Sequence, residues 1–227
     1  MTYSTLLFDL DNTLLDTHAN EKAGLIQLCQ ARHFPLTEDK IDYYHVLNEH
    51  LWQQFENQEI DRTYLLDHRL AFFFAHYGVT VDGPALQEQF SYYFHQQSQL
   101  IPGTIEVLTK LQTSHDLYVI SNGTRRKQHA QMQATHLNSF FKQVFLSEDI
   151  GFRKPDHHFF DYIETQLTAV APEDMLVVGD SLTADIAGAN LAGLDSVWFN
   201  PTEAVNPGQS TPTYEITTLK QLLTSNY

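Results

Sequence analysis

The strongest constraint on this chain is an alternation that breaks once. Short apolar runs at 3–8, 117–120, 144–146, 175–178 and 196–199 read as buried strands, and helix-length segments lie at 104–112, 124–136, 155–167 and 182–192. Strand and helix in turn specify a parallel sheet covered on both faces, so the expected class is α/β, with a doubly wound, Rossmann-like parallel-sheet core. The break follows the first run. From Asp16 to about Gln99 apolar residues recur at helical spacing, as in Tyr44, Leu47, Leu51 and Phe55, or Leu66, Leu70, Phe73 and Phe74. Asp61 is placed as an N-cap and Gly78 as a helix stop. No strand of comparable quality occurs there. The expected organisation is therefore a catalytic core built from 1–15 and 100–227, with a helical cap, 16–99, inserted after the first strand. Ile101-Pro102-Gly103 marks the return to the sheet. The tail reads as a Pro- and Gly-containing loop, a short edge strand near 214–216 and a last helix.

Composition narrows the function classes. The chain has 227 residues, 42% of them apolar and 18% charged, which is globular and enough for one large domain carrying an insertion. Its net charge of −15 opposes binding to a nucleic acid polymer or an anionic membrane. The start, Met1 to Asp9, lacks a basic lead and ends in an acid, unlike a secretion signal. No run approaches the roughly 18 apolar residues that span a bilayer, so a cytoplasmic protein is expected. Cys29 is the single cysteine; it fits the apolar side of a helix with Leu25 and Ile26 and can form neither an internal disulfide nor a cysteine-rich zinc site. The twelve histidines show no metal-binding spacing.

Chemistry-bearing residues gather where strands end, which is where open α/β sheets place their ligands. Asp9-Leu10-Asp11-Asn12-Thr13 follows the first run, and period-2 alternation would put both carboxylates on one side. Ser121-Asn122-Gly123 follows the second. Lys154-Pro155 precedes a helix, with Pro155 suited to its first position. Gly179-Asp180 follows the fourth run, and Asp185 lies five residues on. Each alone has an ordinary explanation: turn chemistry for the acids and for Ser-Asn-Gly, solvent exposure for Lys154, helix capping for Asp180. Together they supply a carboxylate able to attack a phosphoryl group. They also supply carboxylates for a hard cation such as Mg²⁺, a lysine and a hydroxyl for phosphoryl oxygens, and a second acid for proton transfer.

With those four motifs in order, the sequence resembles the haloacid dehalogenase superfamily and its phosphatase branch. The motifs are Asp9-Leu10-Asp11-Asn12-Thr13-Leu14, Ile120-Ser121-Asn122-Gly123, Lys154-Pro155-Asp156 and Gly179-Asp180-Ser181-Leu182-Thr183-Ala184-Asp185. The resemblance implies Asp9 as nucleophile and Asp11 as general acid/base. It implies Mg²⁺, with Mn²⁺ as the other hard ion, held by the Asp9 side chain, the Asp11 main-chain carbonyl and the Asp180 side chain. Asp185 would act behind these, and Ser121, Asn122 and Lys154 would bind phosphate. The insertion would be the family's helical cap. Asn12 departs from the glycine that many members carry.

The substrate is narrowed by Asp11, since dehalogenases release halide without a proton and lack the second acid. Phosphonate hydrolysis needs a cap lysine, and Lys22 and Lys40 read as surface charges. The stretches Ser147-Glu148-Asp149-Ile150-Gly151, His158-Phe159-Phe160-Asp161-Tyr162 and Asp185-Ile186-Ala187-Gly188-Ala189-Asn190-Leu191-Ala192-Gly193, with Trp198-Phe199-Asn200, resemble the superfamily's house-cleaning pyrimidine 5′-nucleotidases. The expectation is a Mg²⁺-dependent phosphomonoesterase acting on nucleoside 5′-monophosphates such as dUMP or dTMP through an aspartyl phosphate, working as a monomer or homodimer on a small-molecule phosphomonoester. The alternatives are a sugar-phosphate phosphatase, a phosphoglucomutase-like phosphotransferase and a phospho-aspartyl signalling switch. The insertion holds half of the 28 aromatics. They form either the core of a helical bundle or, for one or two of Tyr43, Tyr44, Trp52 and Phe55, a stacking surface for a base. Arg125-Arg126-Lys127, with Arg153 and Lys154, either offsets the acidic field at the phosphate or, for the first three, starts a solvated helix.

Overall fold

The computed structural model describes residues 3–208 and 210–224. The chain divides into two compact units, 1–16 with 100–227 and 17–99. The first unit carries six strands: β1 Thr5–Phe8, β2 Asp116–Ser121, β3 Gln143–Leu146, β4 Met175–Gly179, β5 Asp195–Phe199 and β6 Tyr214–Ile216. They pair in the order β3-β2-β1-β4-β5-β6, and every pairing is parallel. This is the doubly wound α/β core expected from the alternation.

Side chains alternate across the sheet and feed two apolar layers. Leu6, Phe8, Leu117, Val119, Leu176, Val178, Val197 and Phe199 bury into one. Leu7, Tyr118, Ile120, Met175 and Val177 bury into the other, against Phe159, Phe160 and Ile163. β1 is only four residues long, and all four are buried. It lies between β2 and β4, with Phe8 opposite Val119 on one side and Val178 on the other. Chain order reverses around it, so its carboxyl end opens onto the crevice where such sheets bind ligands.

The helices are α1 Thr17–Ala31, α2 Glu38–Glu56, α3 Arg62–His76, α4 Gly83–Phe94, α5 Thr104–Leu111, α6 Arg125–Ala134, α7 Ser147–Ile150, α8 His157–Gln166 and α9 Ala187–Ala192. Two starts differ from the sequence expectation. Pro155 is not a first-turn residue: the Lys154–Pro155 bond is cis, and α8 begins at His157, capped by Asp156 accepting from the His158 amide at 3.0 Å. The segment expected as one helix over 182–192 opens as a wide π turn, Leu182–Ile186, before α9. The final helix is a short 3₁₀ turn, Leu219–Leu223.

The 17–99 unit is the four helices α1–α4. Asp61 caps α3 by accepting from the Tyr64 amide at 2.7 Å, and Gly78 follows its end with φ 74°. Tyr44, Phe73, Phe74, Phe90 and Phe94 bury with Leu25, Leu28 and Cys29 in one core, and Phe55 with Leu51 and Leu65 in another. Tyr44 and Phe55 are therefore core rings and not stacking surfaces; Trp52 packs edge-on against Phe55, and Tyr43 stacks on His76. Within the same unit Glu21, Asn48 and Arg69 form a buried polar knot. Arg69 reaches Glu21 at 3.1 Å and Gln87 at 2.9 Å, and Asn48 donates to Glu21 at 2.9 Å. The unit is also tied at its ends: the Asn20 side chain donates to the Gln99 carbonyl at 3.1 Å and accepts from its amide at 2.8 Å. On the core side, Leu15 and Leu100 form an antiparallel bridge. No helix among the described residues is long and apolar enough to cross a membrane.

The run Phe72-Phe73-Phe74 gives a direct test of this packing. Phe73 is fully buried, whereas Phe72 is 38% exposed. Phe73→Ala is expected to cost ~3–5 kcal/mol and Phe72→Ala under about 1 kcal/mol in urea unfolding, because only the former leaves a cavity. Equal losses would contradict the assignment.

Candidate active site

The strand ends bring a charged cluster together at the carboxyl edge of β1. Asp9 immediately follows the strand and is 6% exposed; Lys154 and Asp185 are each 1% exposed. The Lys154 ammonium donates to Asp9 Oδ1 at 2.7 Å, to Asp185 Oδ1 at 2.6 Å and to the Ile120 carbonyl at 2.9 Å. Those three bonds use all three ammonium hydrogens. Burial alone would lower the Lys154 pKa, but the charges of Asp185 and Asp9, with their hydrogen bonds, hold it above the ordinary lysine range. For Asp9 burial wins: its carboxyl is pushed up to about 7 despite Lys154.

Lys154 is held in place by Asn122. The Asn122 amide donates to the Lys154 carbonyl at 2.9 Å and accepts from the Lys154 amide at 3.0 Å. Its side chain is thus bonded to main chain in a paired contact. Asp185 is brought in by the π turn after Ser181, whose amide donates to Asp185 Oδ2 at 3.1 Å. Gly179 is required for this approach, since a Cβ there would lie 2.2 Å from Asp185 Oδ2.

Asp180 precedes the residue that caps the π turn. Ser181 caps that turn by accepting from the Ala184 amide at 3.0 Å. The Asp180 carboxylate instead accepts from the Thr13 hydroxyl at 3.1 Å, and its carbonyl from the Trp198 indole at 2.9 Å. Carboxylate oxygens of Asp9, Asp180 and Asp185 lie within 4.8 Å of one another. This donor set is all oxygen, the chemistry preferred by Mg²⁺ or Mn²⁺. The residues fit a hard divalent cation.

Asp11 lies beyond β1, which ends at Phe8, in an isolated bridge with Leu15, so alternation along β1 is not what places it. The loop turns back at Asn12, whose φ is 59°. That left-handed conformation is open to glycine and, at modest cost, to asparagine, which accounts for Asn at this position. The Asp11 carboxylate pairs with the Lys127 ammonium and accepts from Gln128 Nε2 at 2.6 Å. Gln128 Nε2 also donates to Ser121 Oγ at 2.8 Å, and the Gly123 amide donates to the same oxygen at 3.0 Å. A Cβ on Gly123 would lie 2.1 Å from Gln128 Nε2, so a larger residue here would push Gln128 from its place.

The structure resolves the basic run. Arg125 and Arg126 are exposed, as a solvated helix start requires, and the Arg125 guanidinium pairs with Asp149. Lys127 is buried and turned to Asp11. Lys127 and Gln128 were not individually readable from sequence. They lie in the first turn of α6, whose run Arg125-Arg126-Lys127-Gln128 is polar throughout and marks no inner face. The available signal was position: the first turn of a helix that starts just after Ser121-Asn122-Gly123.

Comparison with known proteins gives a consistent answer. Residues 6–199 match the haloacid dehalogenase-like hydrolase family. The chain is 38% identical to the Bacillus subtilis protein YfnB over 97% of its own length and 94% of that protein. A magnesium-bound crystal structure of YfnB superposes with a TM-score of 0.93 at 37% identity, covering 99% and 98% of the two chains. The pyrimidine 5′-nucleotidase PynA of Streptococcus pneumoniae is 38% identical over 98% of this chain and 94% of its own. The pyrimidine 5′-nucleotidase YjjG of Escherichia coli is 26% identical, with 98% and 97% covered. A family match from β1 to the end of β5, with relatives aligned almost end to end, makes this chain a member of the haloacid dehalogenase-like hydrolases.

Proposed function

We propose that the chain is a Mg²⁺-dependent phosphomonoesterase that hydrolyses nucleoside 5′-monophosphates, with pyrimidine nucleotides preferred. The observation that carries the reading is the pairing of two differently housed carboxylates at one strand end: Asp9 buried against Lys154, and Asp11 held by Lys127 and Gln128. Two enzymes named as pyrimidine 5′-nucleotidases among the relatives support the substrate class.

In this reading Asp9 attacks phosphorus and forms an aspartyl phosphate as the ester P–O bond breaks. Asp11 gives a proton to the departing nucleoside oxygen. It then takes one from water as that water attacks phosphorus and frees the Asp9 carboxylate. Mg²⁺, held by the Asp9 and Asp180 carboxylates and the Asp11 main-chain carbonyl, would offset the repulsion between the attacking carboxylate and the phosphoryl group. Ser121 Oγ accepts two hydrogen bonds, which leaves its own proton to offer a phosphoryl oxygen. Lys154 supplies charge beside the nucleophile, and Asn122 serves by fixing Lys154. Asp185 balances Lys154 from behind. Lys127 and Gln128 orient Asp11. The 16–99 insertion is assigned the family's cap role, selection of the substrate.

Phosphate release from a panel of pyrimidine and purine nucleotides, hexose phosphates and phosphoglycolate tests the assignment. dUMP or dTMP is expected to lead, with release abolished by chelator and by Asp9→Asn. Sugar phosphates leading under the same controls would move the assignment to a sugar phosphatase, and no release from any member would refute the phosphatase reading.

The two Asp11 partners give a finer test. Asp11→Asn is expected to lower kcat by ~10²–10⁴-fold, the range for a lost general acid/base. Lys127→Met should lower kcat by about tenfold or more while changing KM less, since it removes only the group that positions Asp11. Unchanged kcat in Lys127→Met would rule out that positioning role.

A further inference from the structure

The 17–99 unit carries a second cluster of metal-ligating groups that the hydrolytic chemistry does not use. His18 lies in the first turn of α1, and His45 and Glu49 lie one turn apart on the same face of α2. The His18 and His45 rings pack edge to face, with centroids 4.2 Å apart and planes at 81°. That arrangement directs both Nε2 atoms toward one carboxylate oxygen: Glu49 Oε1 is 3.3 Å from His45 Nε2 and 3.9 Å from His18 Nε2. One ligand atom from each residue falls within 4.8 Å of the other two. Donors bonded to a tetrahedral Zn²⁺ at ~2.0–2.1 Å sit about 3.4 Å apart, so sub-ångström to ångström-scale adjustments close the set. All three side chains are between 39% and 54% exposed, which leaves an ion a path from solvent.

We infer that His18, His45 and Glu49 form a binding site for a borderline divalent transition ion, with Zn²⁺ the natural occupant and a fourth position open to water. Two imidazoles and one carboxylate are a zinc donor set, whereas Mg²⁺ demands oxygen ligands in near-octahedral array. The site thus differs in kind from the all-oxygen cluster around Asp9, and the two sort ions by hardness. A bound ion would staple the start of α1 to the middle of α2.

Co²⁺ is the probe, since its visible absorption reports low-coordinate nitrogen and oxygen ligation. The full chain is titrated with Co²⁺ in excess Mg²⁺, then challenged with Zn²⁺. One Co²⁺ per chain is expected, displaced by Zn²⁺ but not by Mg²⁺. Affinity should fall by more than about tenfold in His18→Gln and in His45→Gln, since removing even a ligand's outer-shell partner costs ~10–100-fold. Asp180→Asn and His157→Gln should retain the signal, and circular dichroism should show both ligand variants folded. Absence of the Co²⁺ signal, its displacement by Mg²⁺, or its persistence in both ligand variants would each overturn the inference.

Discussion

The molecule depends on one buried ammonium. Lys154 joins the residue after β1, the Ile120 carbonyl of β2 and the π turn after β4, so three separate stretches of chain meet at a single nitrogen. An unpaired buried charge is costly, and removing one partner of a buried pair typically costs ~3–5 kcal/mol. Every donor of this nitrogen has an acceptor. The consequence is that assembling the sheet and assembling the site are one event: the strands cannot register correctly around β1 without delivering Asp9, Lys154 and Asp185 to each other. The supporting contacts follow the same logic. Asn122 fixes the main chain of Lys154, Gly179 gives Asp185 room, and Gln128 ties Ser121 to Asp11.

Much of this was legible in the sequence, and the boundary between what was and was not is physical. The five apolar runs are strands because both faces of a parallel strand are buried, and a run such as Met175–Val178 has no polar residue to signal otherwise. Asp9, Ser121, Lys154 and Asp180 were visible because they stand at the carboxyl ends of those runs or at the head of a helix. Lys127 and Gln128 were not, because a helix beginning Arg125-Arg126-Lys127-Gln128 gives no periodic signal of which polar side chains turn inward. The π turn at Leu182–Ile186 looks like ordinary helix in the sequence, since an extra residue per turn leaves no compositional mark. The pairing of His18 with His45 was equally hidden: the two are distant in sequence and meet only when α1 packs beside α2.

The aromatic-rich composition of the helical unit serves its own packing. Most of its large rings are consumed in its own cores, where edge-to-face contacts such as Phe73 on Phe74 and Tyr44 on Phe73 fill space. Its buried polar residues serve the same end. Glu21, Asn48, Arg69 and Gln87 satisfy one another across α1–α4, and they specify how the helices pack where apolar contacts alone would tolerate slippage. Cys29 belongs to this interior; burial pushes its thiol up to about 11, which keeps it protonated and inert.

The paired bonds between Asn20 and Gln99, and the bridge between Leu15 and Leu100, close the insertion on both sides of its two junctions. The helical segment is therefore closed at its own two ends. Under the proposed cap role, a lineage built on this plan would acquire a new specificity by rewriting one contiguous stretch of gene while the hydrolytic machinery stays fixed.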